Sequence, residues 1–96
     1  MATVVLAASA IADLDALIAS HDLPASTRPR LRSSLKRLET FPMIGPALNG
    51  RWQDFRFVLG PWPWMLVVYV YDEGRDQVAV VTIQDARMAR AATAAT

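Results

Sequence analysis

The segment FRFVLGPWPWMLVVYVYDE, Phe55 to Glu73, holds the strongest constraint in this chain. In an extended strand, successive side chains point to opposite faces. From Trp64 onward, one face would carry Trp64, Leu66, Val68 and Val70, and the other Met65, Val67, Tyr69 and Tyr71. Both faces are apolar, which is the pattern of a strand at the centre of a sheet covered on both sides. Helices can cover one face. The other needs a partner chain, a terminal helix or a shallow pocket. Trp62, at the Gly60-Pro61 turn, is the more exposed aromatic, and packing against the 42–48 loop is expected for it rather than base stacking.

The rest of the chain supplies that cover. Thr3 to Ala7, TVVLA, reads as a strand. Ser9 reads as a helix N-cap. Ile11, Leu14, Leu17 and Ile18 then fall at helical spacing, predicting a helix from about Ala10 to Ser20. After HDLPAST, Pro29 suits a first helical turn, and Leu31, Leu35 and Leu38 predict a second helix from about Pro29 to Thr40, stopped by Pro42. PMIGPALNG reads as a loop. Strands are expected at Gln53–Leu59, from Trp62 or Trp64 to Tyr71, and at Val78–Ile83. The short turns between them predict an antiparallel meander. QDARMARAATAAT is expected to close the chain as an Ala-rich helix.

With 96 residues, 53% of them hydrophobic, the chain is long enough for one domain with a real core, residues 1–96. It has no cysteine, so disulfides and thiolate metal sites are excluded, and its one histidine, His21, cannot build a His-based metal cluster alone. The opening MATVVLAASAIADLDALIAS lacks a basic start and is interrupted by Asp13 and Asp15, so neither a signal peptide nor a membrane span is read there.

Net charge is +1, but it is unevenly spread. Residues 1–27 carry Asp13, Asp15 and Asp22 and no base. Residues 28–56 carry Arg28, Arg30, Arg32, Lys36, Arg37, Arg51 and Arg56 against only Glu39 and Asp54. All the bases but Lys36 are Arg, the type suited to bidentate phosphate contact and stacking. The middle third is therefore either a solvated basic helix or a surface facing a polyanion.

The order is strand, helix, basic helix and a three-strand meander. Within it stand L-x-x-F-P-x-x-G (Leu38 to Gly45), L-x-G-x-W (Leu48 to Trp52), F-R-F-x-L-G (Phe55 to Gly60), an apolar strand with Tyr69, a turn with Asp72, V-A-V-V-T-I and a closing Arg87. In this arrangement the chain resembles the RelE/ParE superfamily, the toxins of type II toxin–antitoxin modules, from Thr3 to about Arg90. The resemblance implies an α+β fold: an N-terminal strand, two helices packed on an antiparallel meander sheet, and a short C-terminal helix. The active surface would be the sheet face away from the helices.

RelE-like members cut messenger RNA in the ribosome without a metal or cofactor. The ribose 2′-hydroxyl attacks the adjacent phosphate, which requires a base, an acid and cations. ParE-like members inhibit DNA gyrase without evident catalytic residues. The resemblance implies cleavage of mRNA on the ribosome in the cytoplasm, with a cognate antitoxin protein as partner. The alternatives are a non-enzymatic gyrase inhibitor and a non-toxic relative that only binds an antitoxin.

By position, Arg56 and Arg87 match catalytic cations, and Arg30, Lys36, Arg37, Arg51 and Arg90 are the candidate RNA contacts. Three departures count against cleavage. Met65 stands where many relatives have Arg, Val58 stands at another basic position, and the terminal segment offers only Thr93 and Thr96 as hydroxyls. His21 is expected on the wrong side of the sheet.

Overall fold

The structure is a computed structural model that describes residues 1–88 and 90–94. Its elements are β1 (Thr3–Leu6), α1 (Ala8–His21), α2 (Thr27–Leu35), a helical turn α3 (Arg37–Thr40), a 3-10 turn (Gly50–Trp52), β2 (Arg56–Leu59), β3 (Met65–Asp72) and β4 (Gln77–Asp85). The strands form one sheet in the order β1-β4-β3-β2. β2–β3 and β3–β4 are antiparallel, as their short turns require. β1 runs parallel to β4, from Thr3 opposite Gln77 to Leu6 opposite Val80, so the sheet is mixed rather than a pure meander.

β3 is the interior strand that its composition predicts. Met65, Leu66, Val67, Val68 and Tyr69 are all fully buried. Met65, Val67 and Tyr69 pack with Leu14 of α1, Leu31 and Leu35 of α2, and Leu38 of α3. Leu66 and Val68 face the other way, against Leu48, Trp52, Phe55, Phe57, Ala91 and Ala92. The second face is thus covered by the chain itself, through residues 48–57 and the tail after β4. The Ala92 N–H holds that tail by donating to Gln84 Oε1 at 2.8 Å. The expected C-terminal helix is not there among the described residues: the tail runs in turns and bends at 86–88 and at 90–94. Thr96 lies outside the described residues.

The single second helix becomes two. Lys36 N–H bonds Ser33 O rather than a carbonyl four residues back. This tightening lets Leu31, Leu35 and Leu38 all reach the sheet. The helix also starts earlier than Pro29, at Thr27, whose hydroxyl donates to Pro24 O at 2.7 Å.

β1 pairs only with the first half of β4. Beyond Val80 that edge would carry unpaired backbone groups, and polar side chains of α1 take the place of a strand. Ser9 Oγ donates to Val81 O at 2.6 Å. Asp13 Oδ2 accepts from the Ile83 N–H at 3.3 Å and from Thr82 Oγ1 at 2.5 Å. His21 Nε2 meets Asp85 Oδ2 at 3.0 Å. Ser9 is therefore not an N-cap: Ala7 occupies that position, and Ser9 lies within α1 as a tie to the sheet.

Candidate functional site

Arg56 lies at the start of β2 opposite Tyr69, on the helix-backed face. Its Nη1 donates to Gly45 O at 2.8 Å and reaches Met43 O at 3.4 Å. The Tyr69 hydroxyl accepts from the Gly45 N–H at 3.0 Å. Burial raises the Tyr69 pKa; the Gly45 bond and nearby Arg56 and Arg37 oppose that rise without cancelling it. Arg56 and Tyr69 thus clamp the 43–45 loop from both sides.

Arg87 sits at the other end of the sheet. Its Nε and Nη2 make a fork onto Asp85, at 2.9 and 2.8 Å, and its guanidinium carbon lies 5.0 Å from the centre of the Trp64 ring. Tyr69, opposite Arg56, and Met65, opposite Asp85, are four residues apart on β3, and β2 and β4 flank that strand. Strand geometry then separates the Arg56 and Asp85 backbones by roughly 16 Å, and Arg87 lies two residues beyond Asp85. The structure does not bring these two cations together.

Arg51 and Arg90 instead line one cleft of about 340 Å³ between α1, the second half of β4 and the tail. Its walls include Trp52, Gln84, Asp85, Ser20 and Met88. Arg51 also lies 5.7 Å from the Trp52 ring. Two exposed arginines lining a cleft with a half-buried indole are the parts from which phosphate contact and base stacking are made. The remaining candidates lie elsewhere. Arg30 stacks over Trp62 at 4.6 Å, Arg37 Nη2 donates to Leu59 O at 2.9 Å, and Lys36 is exposed. Trp62 therefore packs against α2 rather than being a free platform.

His21 stands on the helix side of the sheet, with its ring against the helix-side core. The imidazole is not remote from the predicted cations: it bonds Asp85, the carboxylate that Arg87 also holds. It stacks on Trp64, with ring centres 4.7 Å apart and planes 16° apart. Trp64 lies just before β3, outside the alternation assigned to it, and packs with the helix-side core. The Asp85 side chain is buried, with only 7% of its surface exposed. The Arg87 fork, and secondarily the Arg87 N–H and His21, hold its pKa well below the usual carboxylate range against the opposing effect of burial. No group of three or more His, Cys, Asp or Glu side chains able to hold a metal ion occurs among the described residues.

No protein-family model matches the chain. No curated protein matches it either. Solved structures do. A chain of the E. coli RelBE toxin–antitoxin complex superposes with a TM-score of 0.64 at 17% identity, covering 92% of this chain and 100% of that one. The fold is that of the RelE toxins. The RelE likeness extends to the RelBE2 toxin–antitoxin complex of Mycobacterium tuberculosis, with TM-score 0.60, 19% identity and coverage of 88% and 96%. It extends also to a metal-bound toxin of Helicobacter pylori, with TM-score 0.64, 21% identity and coverage of 88% and 94%. Two of these RelE-fold chains were thus solved in toxin–antitoxin complexes. Among the described residues, no helix of this one is long and apolar enough to cross a membrane.

Proposed function

We propose that this protein is the growth-inhibiting toxin of a type II toxin–antitoxin pair and acts by cleaving messenger RNA on the ribosome in the cytoplasm, without a metal or cofactor. The observation that carries the reading is the cleft that Arg51, Arg90 and Trp52 line on a RelE-type fold. Arginines that grip a phosphodiester can position an in-line attack and stabilise its developing charge. Arg87 stands beside this cleft through Asp85. Arg56 serves as a positioning residue for the 43–45 loop.

A partner chain is part of the proposal. Phe41, Met43, Ile44 and Leu59 are 59, 54, 54 and 42% exposed. Ile44 joins them into one patch, sharing one hollow with Phe41 and Met43 and another with Leu59 and Arg37. A connected apolar patch beside basic α2 suits an acidic, amphipathic segment of an antitoxin.

One observation favours a second reading, inhibition of gyrase without chemistry: Arg56 and Arg87 both have their guanidiniums engaged within the protein. An extract that reports both activities separates the two. With purified protein added, translation is expected to stop while supercoiling continues. Loss of supercoiling with translation intact assigns the gyrase reading. An extract unaffected in both respects leaves only the antitoxin-binding relative.

A further inference from the structure

The mechanism lacks a group that exchanges protons near neutral pH. Imidazole is the side chain suited to that work, and this chain has one. Its surroundings impose a direction on it. Asp85 is ionised and accepts only, so the proton shared with it resides on His21 Nε2. In the neutral ring Nδ1 is then the acceptor, and Ser20 Oγ sits 2.8 Å from it. Ser20 and Asp85 both line the cleft that holds Arg51 and Arg90. A hydroxyl at the cleft wall is thus joined to an imidazole, a buried carboxylate and Arg87 in a single chain. The charged groups on the imidazole's own cluster are Asp85 from β4 and Arg87 from the tail, with Trp64 stacked on the ring. Across the cleft stand Arg51 and Arg90.

We propose that this cleft is a ribonucleotide phosphate site in which His21 is the proton acceptor for the 2′-hydroxyl, reached through Ser20, with Arg51 and Arg90 on the phosphate. The inference rests on the RNA-cleaving reading above. The 2′-hydroxyl gives its proton to Ser20 Oγ as Ser20 passes its own to His21 Nδ1. The 2′-oxygen bonds to the adjacent phosphorus and the bond from phosphorus to the 5′-oxygen breaks. The products are a 2′,3′-cyclic phosphate and a 5′-hydroxyl, whose proton comes from the imidazolium through water. Asp85 is a positioning residue: it sets the tautomer and steadies the charged ring.

Because there is a single histidine, its ring resonances report the site without ambiguity. Adenosine 3′-monophosphate is expected to move them in the wild-type protein and to leave them in place in Arg51→Ala/Arg90→Ala. On programmed ribosomes, His21→Gln is expected to cleave about 100-fold more slowly and to lose the acid limb of the pH–rate profile while still binding the nucleotide. Ring signals that stay fixed in the wild-type protein overturn the site, whether or not that protein cleaves. A His21→Gln protein cleaving at the wild-type rate overturns the proton role and leaves the RNA-cleaving reading standing. A wild-type protein that binds the nucleotide but cuts nothing overturns that reading and the proton role together.

Discussion

Gly45→Ala is expected to destabilise the protein by about 3 kcal/mol or more, beyond the usual cost of overpacking. A Cβ at this position would lie 2.1 Å from the carbonyl oxygen of Phe57 and 2.9 Å from the Tyr69 hydroxyl. The first is backbone of β2 and the second belongs to a fully buried side chain, so neither can step aside cheaply. The loop would have to lift. It would then lose the Gly45–Tyr69 bond, the Arg56–Gly45 bond and the Phe57 N–H bond to Pro46 O. Urea unfolding measures the cost. An unchanged midpoint would mean that the 43–45 loop does not dock on β2 as described. The apolar patch proposed for the partner is carried by the same loop, so a folded Gly45→Ala protein should also bind its antitoxin more weakly.

Asp85→Asn is expected to lower stability by about 2 kcal/mol at pH 7, the scale of lost charge-assisted hydrogen bonds. The figure is kept below that of a fully buried pair because the Arg87 side chain is exposed. An amide in that position turns an NH2 group toward the donors of Arg87 or His21. The pH dependence follows from the sign of the shift. The folded carboxyl titrates below its ordinary value, so its contribution is present above about pH 4 and is lost as the pH falls through the lower folded pKa. The gap between wild-type and Asp85→Asn urea midpoints should therefore be full at pH 7 and narrow below pH 4. A gap that is absent at pH 7 would reduce the cluster to an ordinary surface pair.

The central strand could be read from residues alone because its evidence is local: eight positions, both faces apolar, turns at each end. The helices were legible for the same reason, with Leu31, Leu35 and Leu38 fixing one face. What the sequence could not disclose is long-range. The parallel pairing of β1 with β4 joins residues more than seventy positions apart. Ser9 and Asp13 are polar positions on a helix, and a polar helical position ordinarily faces solvent. Here both also bond β4, because β1 stops at Leu6 and leaves the β4 edge open beside α1. The bond from His21 to Asp85 was hidden for the same reason: the α1 residues that tie down β4 continue along the helix and end at Asp85. The Ala-rich tail has the composition of a helix, yet the apolar face of Leu66 and Val68 draws Ala91 and Ala92 onto it in turns. Among the site residues, the positive middle third was visible. Arg90 and Arg51 sharing one cleft depends on how the 3-10 turn and the tail fold over the sheet, and Arg56 turning to backbone carbonyls on which face β2 presents.

The most direct test of the account is to map the ends of messenger RNA on programmed ribosomes after adding purified protein. The account predicts new 5′-hydroxyl ends within the decoded region, made by the wild-type protein and strongly reduced with Arg51→Ala/Arg90→Ala. Intact messenger in the presence of folded wild-type protein, or cleavage undiminished when both arginines are gone, would contradict it.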